Sequence, residues 1–156
     1  MKLNSTERSF IFWQKWLLYT SIASVITGIA IALFGNNILF QPYYKLLAHV
    51  FWNSSVFPTE VEQFRMFMSG PLGGTIACCY IMLTFIVQYP FKNKEPWARN
   101  AIIAAFGGWV IIDSSVCIFY GVYAQVYLIN AFSIIVKALP ILFTWKHFKQ
   151  NHNVAQ

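Results

Sequence analysis

Three long stretches nearly free of charge dominate this chain, and they settle the solvent in which it folds. Residues 16–34 and 66–91 carry no Asp, Glu, Lys or Arg, and residues 101–145 carry only Asp113 and Lys137. The hydrocarbon core of a bilayer is about 30 Å thick, so a crossing helix needs about 20 mostly apolar residues. The third stretch is too long for one crossing, and Gly121-Val122-Tyr123-Ala124-Gln125 offers a tight turn near its centre. Four spans are therefore predicted, near 14–35, 59–90, 97–121 and 124–147. The fold class is all-α: a polytopic four-helix membrane bundle, read as a single domain over residues 1–156. Only 10% of residues are charged, against about 25% in a soluble domain, too few polar side chains to coat a globule in water.

The net charge of +6 would suggest nucleic acid if it formed a patch on a soluble fold. Here the basic residues lie in short segments between apolar runs, so no nucleic-acid partner is expected and they read as topology signals. Lys2, Arg8, Lys15, Lys92, Lys94, Arg99, Lys146 and Lys149 fall on one side, and only Lys45 and Arg65 on the other. The richer side is the cytoplasmic one, which puts both chain ends in the cytoplasm. Trp13, Trp16, Trp97 and Trp145 lie near that boundary, where indole rings favour the interface. The first apolar run lacks a cleavage signature and is expected to remain as an anchor.

Cys78, Cys79 and Cys117 sit in apolar runs without a CxxC spacing, and His49, His147 and His152 fall outside them. No metal, haem or other cofactor is expected from that arrangement. No nucleophile–base motif, phosphate-binding loop or dinucleotide fingerprint is present, so a non-enzymatic role is favoured.

The second span has a readable start. Thr59-Glu60-Val61-Glu62 matches a capping box, with Thr59 as N-cap and Glu62 reaching back. Pro71 inside that span predicts a kink. The outer segment 36–57 is apolar rather than polar, and Pro42 suits the first turn of a short interfacial helix. That helix could be a lid over a ligand or an anchor sealing the bundle. Small residues recur at helical spacing as Ser24, Gly28 and Ala32, as Gly70, Gly74 and Cys78, and as Ala104 and Gly108. Such stripes let helix backbones approach closely, within a compact bundle, a homodimer, or both.

Asp113 is the most informative residue. It lies about 12 Å inside the membrane by helix rise, and an acid at that depth is a candidate functional site. Its helix face also carries Phe106, Trp109, Val110, Cys117 and Tyr120, while Ser114 and Ser115 are expected on a different face. In the fourth span Asn130, Ser133 and Lys137 form one polar stripe. Asp113 should face Asn130 and Ser133 and reach Lys137 only indirectly, with Lys137 snorkelling toward the cytoplasm. Pro140 should free the carbonyl of Val136. Glu60, Glu62 and Arg65 form a third group, either a solvated helix end or a mouth where Arg65 meets an anionic head group. The candidate ligand-binding set is thus Asp113, Trp109, Asn130, Ser133, Lys137 and Arg65.

Residues 65–74, 89–100, Gly108-Trp109 with Asp113-Ser114, and Ala138-Leu139-Pro140 with Phe143-Thr144 resemble a family of small bacterial four-helix membrane proteins that carries no assigned activity. More loosely the chain is similar to DoxX-like proteins and to sterol-isomerase-like membrane domains. The latter hold histidine and glutamates inside the bundle, and this sequence has neither there. The resemblance implies four helices in a bacterial inner membrane. Three functions fit: a binding or accessory module for an amphipathic ligand or partner helix, a proton- or cation-coupled transporter acting as a dimer, and a lipid-modifying enzyme pairing Asp113 with Lys137. Membrane lipids are the expected surroundings in all three.

Overall fold

The computed structural model describes residues 4–148, so the topology signals Lys2 and Lys149 and the tail residue His152 lie outside the described residues. The chain is all-α. Helix α1 runs Ser5–Phe34, α2 Gln41–Trp52, α3 Thr59–Ile86, α4 Pro96–Phe119 and α5 Ala131–Thr144. Two π-helical turns extend this set: Val87–Phe91 continues α3, and Gln125–Asn130 leads into α5. Four of the resulting helices are long and apolar enough to cross a membrane. Their outer faces carry large bare side chains, with Phe119 82% and Leu33 70% exposed, while Gln14, Ser21, Asn130, Lys137 and Thr144 are buried. That inversion suits lipid, because apolar surface costs nothing there and polar atoms must find partners inside.

The hydrophobic core sits at one end of the bundle. Phe10 and Leu17 of α1 meet Val87 and Phe91 of the first π-turn, Ala98 and Ile102 of α4, Ile141 of α5 and Phe148 just beyond it. Pro90 explains the π-turn. It lacks the N–H that the Ile86 carbonyl needs in an α turn, and a wider turn can hand that carbonyl to the next residue. Buried Gln14 donates to the Val87 carbonyl at 3.2 Å, tying α1 to this widened turn. At the turn into α4, Lys94 adopts a left-handed backbone, φ 61°, and its Nζ meets Glu7 at 2.7 Å. Helix α1 accordingly starts at Ser5, ahead of the predicted span.

Helices α1 and α3 are the most closely packed pair. A Cβ on Gly28 would lie 2.6 Å from the Ala77 nitrogen and 2.8 Å from the Gly73 carbonyl, so the two backbones touch. The α3 stripe used here is Ser69, Gly73 and Ala77, all buried, not the predicted Gly70, Gly74 and Cys78. The two stripes are one residue apart and equally small, so periodicity alone cannot choose between them. Gly70 and Gly74 face open space. Pro140 leaves the Val136 carbonyl without its helical donor, and Trp16 Nε1 supplies one at 3.2 Å.

The start of α3 differs from the capping box. The N-cap is Pro58, and no side chain caps the helix. Glu62 instead gives both carboxylate oxygens to Arg65, one turn on. A two-pronged charge-assisted contact with a guanidinium outweighs a single bond to a neutral N–H. Arg65 spends its remaining donors on Asn36 Oδ1 at 3.1 Å and the Gly35 carbonyl at 3.4 Å, and stacks 3.9 Å over the Tyr44 ring. One side chain thereby fastens the end of α1, α2 and α3 together. Arg65→Lys keeps the charge but loses the planar fork, and is expected to lower stability by about 1–2 kcal/mol. Unfolding midpoints in detergent measure this, and an unchanged midpoint would show that charge alone suffices.

Candidate functional site

The polar layer forms where α4 ends, the chain turns through Gly121 (φ 74°), and the second π-turn begins. Asp113 is half-buried on α4. Its Oδ2 accepts from Asn130 Nδ2 at 2.8 Å and Gln125 Nε2 at 3.4 Å, with Cys117 Sγ at 3.6 Å. Gln125 and Asn130 are five residues apart. An α-helix would turn them roughly 140° from each other, whereas a π-turn brings positions i and i+5 onto one side. The distortion thus aims two amides at one carboxyl oxygen. In the sequence Gln125 belongs to the connecting turn and shows no sign of this role, since a π-turn has no periodicity signal of its own.

Asn130 Nδ2 also donates to Ser114 Oγ at 2.9 Å. Ser114 therefore shares the site, contrary to the expectation that it lay on a different face. Adjacent helix positions diverge by about 100°, but an asparagine inserted between them reaches both. Helix α2 closes the outer side. Tyr43 hydroxyl donates to Gln125 Oε1 at 2.5 Å. Burial pushes the Tyr43 hydroxyl up to about 12, so it keeps its proton and remains the donor.

Two features make this cluster chemically uneven. Every protein hydrogen bond to Asp113 falls on Oδ2, and Oδ1 accepts none among the described residues without being sealed in. Asn130 is 1% exposed, and its Oδ1 is buried with no donor. A buried acceptor left unmade costs about 1–3 kcal/mol. Asn130 Oδ1 is sealed inside, so the reachable unspent acceptor is Asp113 Oδ1, which is suited to a donor or a cation.

The other predicted site residues lie elsewhere. Lys137 is 3% exposed and turns toward α1 and α3, where Nζ meets Thr20 Oγ1 at 3.2 Å and lies 4.9 Å from the Tyr80 ring centre. It does not snorkel, and it makes no ion pair among the described residues. Ser133 is half-buried on α5 and does not bond Asp113. Trp109 is 37% exposed on α4, edge-on to Phe106. Arg65 belongs to the outer junction described above. Helix α4 approaches other backbones closely mainly at its two ends, on the two π-turns. Comparison with known protein families, with curated proteins and with solved structures finds no match to this chain.

Proposed function

We propose that this chain is a membrane binding module whose ligand is amphipathic, with a cationic or hydrogen-bond-donating head at Asp113 and an apolar tail along α4 and α5. The carrying observation is the division of labour on Asp113. Oδ2 is fixed by two amides, which holds the carboxyl in place, while Oδ1 stays available to a ligand. Tyr43 on α2 acts as the latch of a lid over the layer. The basic residues Lys15, Lys92, Lys94, Arg99 and Lys146, gathered at the opposite end of the bundle from α2, support an orientation with both chain ends in the cytoplasm. A bacterial inner membrane is the setting that the family resemblance favours. A second copy of the chain is a further partner, since Gly70 and Gly74 leave a close-approach surface open.

Dodecylamine is the probe. Titrated into the purified full chain, it should raise thermal stability, and Asp113→Asn should weaken its binding about tenfold, a difference of about 1.4 kcal/mol. The fold should survive that change, because membrane polar pairs average only about 0.6 kcal/mol. Equal binding by wild type and Asp113→Asn would sink the proposal. The isolated Lys137 favours a second reading, proton-coupled transport, because an ionisable side chain enclosed among membrane helices without a carboxylate partner is a candidate relay residue. Proteoliposomes carrying a pH-sensitive dye separate the two readings, since only the second requires proton flux. An enzymatic Asp113–Lys137 pair has less support, as no hydrogen bond or ion pair joins them.

A further inference from the structure

The junction around Arg65 encloses a cavity that the Asp113 site does not explain. It has a volume of about 270 Å³ and lies between α2, the following loop and the start of α3. Its walls include Gln41, Tyr44, Lys45, Ser55, Glu62 and Arg65. Drug-sized ligands occupy roughly 300–1,000 Å³, so this space suits a single head group.

Its polar groups are not evenly spent. Arg65 and Glu62 cancel each other's charge and use each other's best hydrogen-bonding atoms. Arg65 was the sequence candidate for meeting an anion, but its fork is committed to Glu62, Asn36 and Gly35. Lys45 is different. It is exposed at the edge of the cavity and has neither an ion pair nor a hydrogen bond among the described residues. The side chains of Gln41 and Ser55 likewise donate to nothing among the described residues, while Tyr44 and Phe57 supply an aromatic wall. An ammonium, an amide and a hydroxyl, all unspent, therefore line one space whose net charge is +1. The α2 aromatics Tyr44, Phe51 and Trp52 suit the depth at which interfacial rings and lipid phosphates lie.

We propose that this cavity binds an oxyanion, a phosphate or carboxylate head group, gripped by Lys45 with Gln41 and Ser55 beside it. The anion comes either from a lipid or from solution, and the experiment separates these sources. Native mass spectrometry of the full chain with added phosphatidylglycerol counts retained lipid, and a thermal-shift titration with inorganic phosphate tests the free anion. Loss of one retained lipid in Lys45→Gln, and a partial loss in Ser55→Ala, would support a lipid head group. A phosphate-induced shift in wild type, at least tenfold weaker in Lys45→Gln, would support the free anion. Lys45 is exposed, so its replacement should leave the fold intact. Identical behaviour of wild type and Lys45→Gln with both probes overturns the site. So does an equal loss in Lys146→Gln at the far end of the bundle, which would signify general charge attraction. Dodecylamine binding at Asp113 should be unchanged in Lys45→Gln, so the two sites fail independently.

Discussion

Gly28→Leu is expected to destabilise the bundle by about 3 kcal/mol or more, at the upper end of overpacking effects. A Cβ at that position meets the Ala77 nitrogen and the Gly73 carbonyl, both backbone atoms that cannot swing aside. Relief would require α1 and α3 to separate, and the loss would spread to their neighbours Ser21, Ser69 and Ala77. Gly74→Leu is the control. It has the same chemistry on the same helix pair, but nothing lies within 4 Å of the added Cβ. Its effect on the fold should stay within about 0.5 kcal/mol, as for other surface sites. Steric-trapping or detergent-unfolding measurements in bicelles read both values. A Gly28→Leu protein as stable as wild type would show that the two backbones do not meet at Gly28. If a second copy packs on the outer stripe, Gly74→Leu should shift the oligomeric state while the monomer fold persists.

Lys137→Met is expected to move stability the other way, by about 2–3 kcal/mol in favour of the folded state. The lysine head is almost wholly enclosed, yet it finds only the Thr20 hydroxyl and the face of Tyr80. Three N–H donors share one oxygen acceptor, and no carboxyl group lies within ion-pair distance among the described residues. Methionine keeps the length and flexibility of the stem and removes the uncompensated head. The same measurement decides the matter. A destabilised Lys137→Met would mean that the ammonium is a structural tie between α5, α1 and α3. A stabilised variant would indicate that the lysine is retained at a cost to stability, as expected of a group with a functional task.

The parts of the site legible in the sequence were those that depend on depth alone. Asp113 and Lys137 stand out because any charge within an apolar run does, whatever the fold around it. The pairing of Asp113 with Asn130 was also legible, since a tight turn makes α4 and the last helix antiparallel and puts those positions level. Gln125, Ser114 and Tyr43 were not. Gln125 reaches the carboxyl through a π-turn, which changes the residues per turn without any mark in the apolar pattern. Tyr43 arrives from 82 residues away in sequence. Snorkelling toward the cytoplasm is cheap for a lysine on a free helix, so the sequence alone points Lys137 that way. Thr20 and Tyr80, on two other helices, hold it inside.

By itself the sequence determined the fold class and the four helices long and apolar enough to cross a membrane, because long uncharged runs of that length leave few alternatives. It also determined that α1 and α3 had surfaces small enough to touch. Only the tertiary structure decided which of two adjacent α3 stripes does so. Glycine at two neighbouring positions satisfies the same spacing rule, and the choice turns on a 100° rotation that packing alone sets. The same holds for the polar groups. Their number was written in the chain, but which oxygen is bound, which is open and which cation is unspent depends on contacts between helices, where reach and geometry decide among partners of equal chemistry.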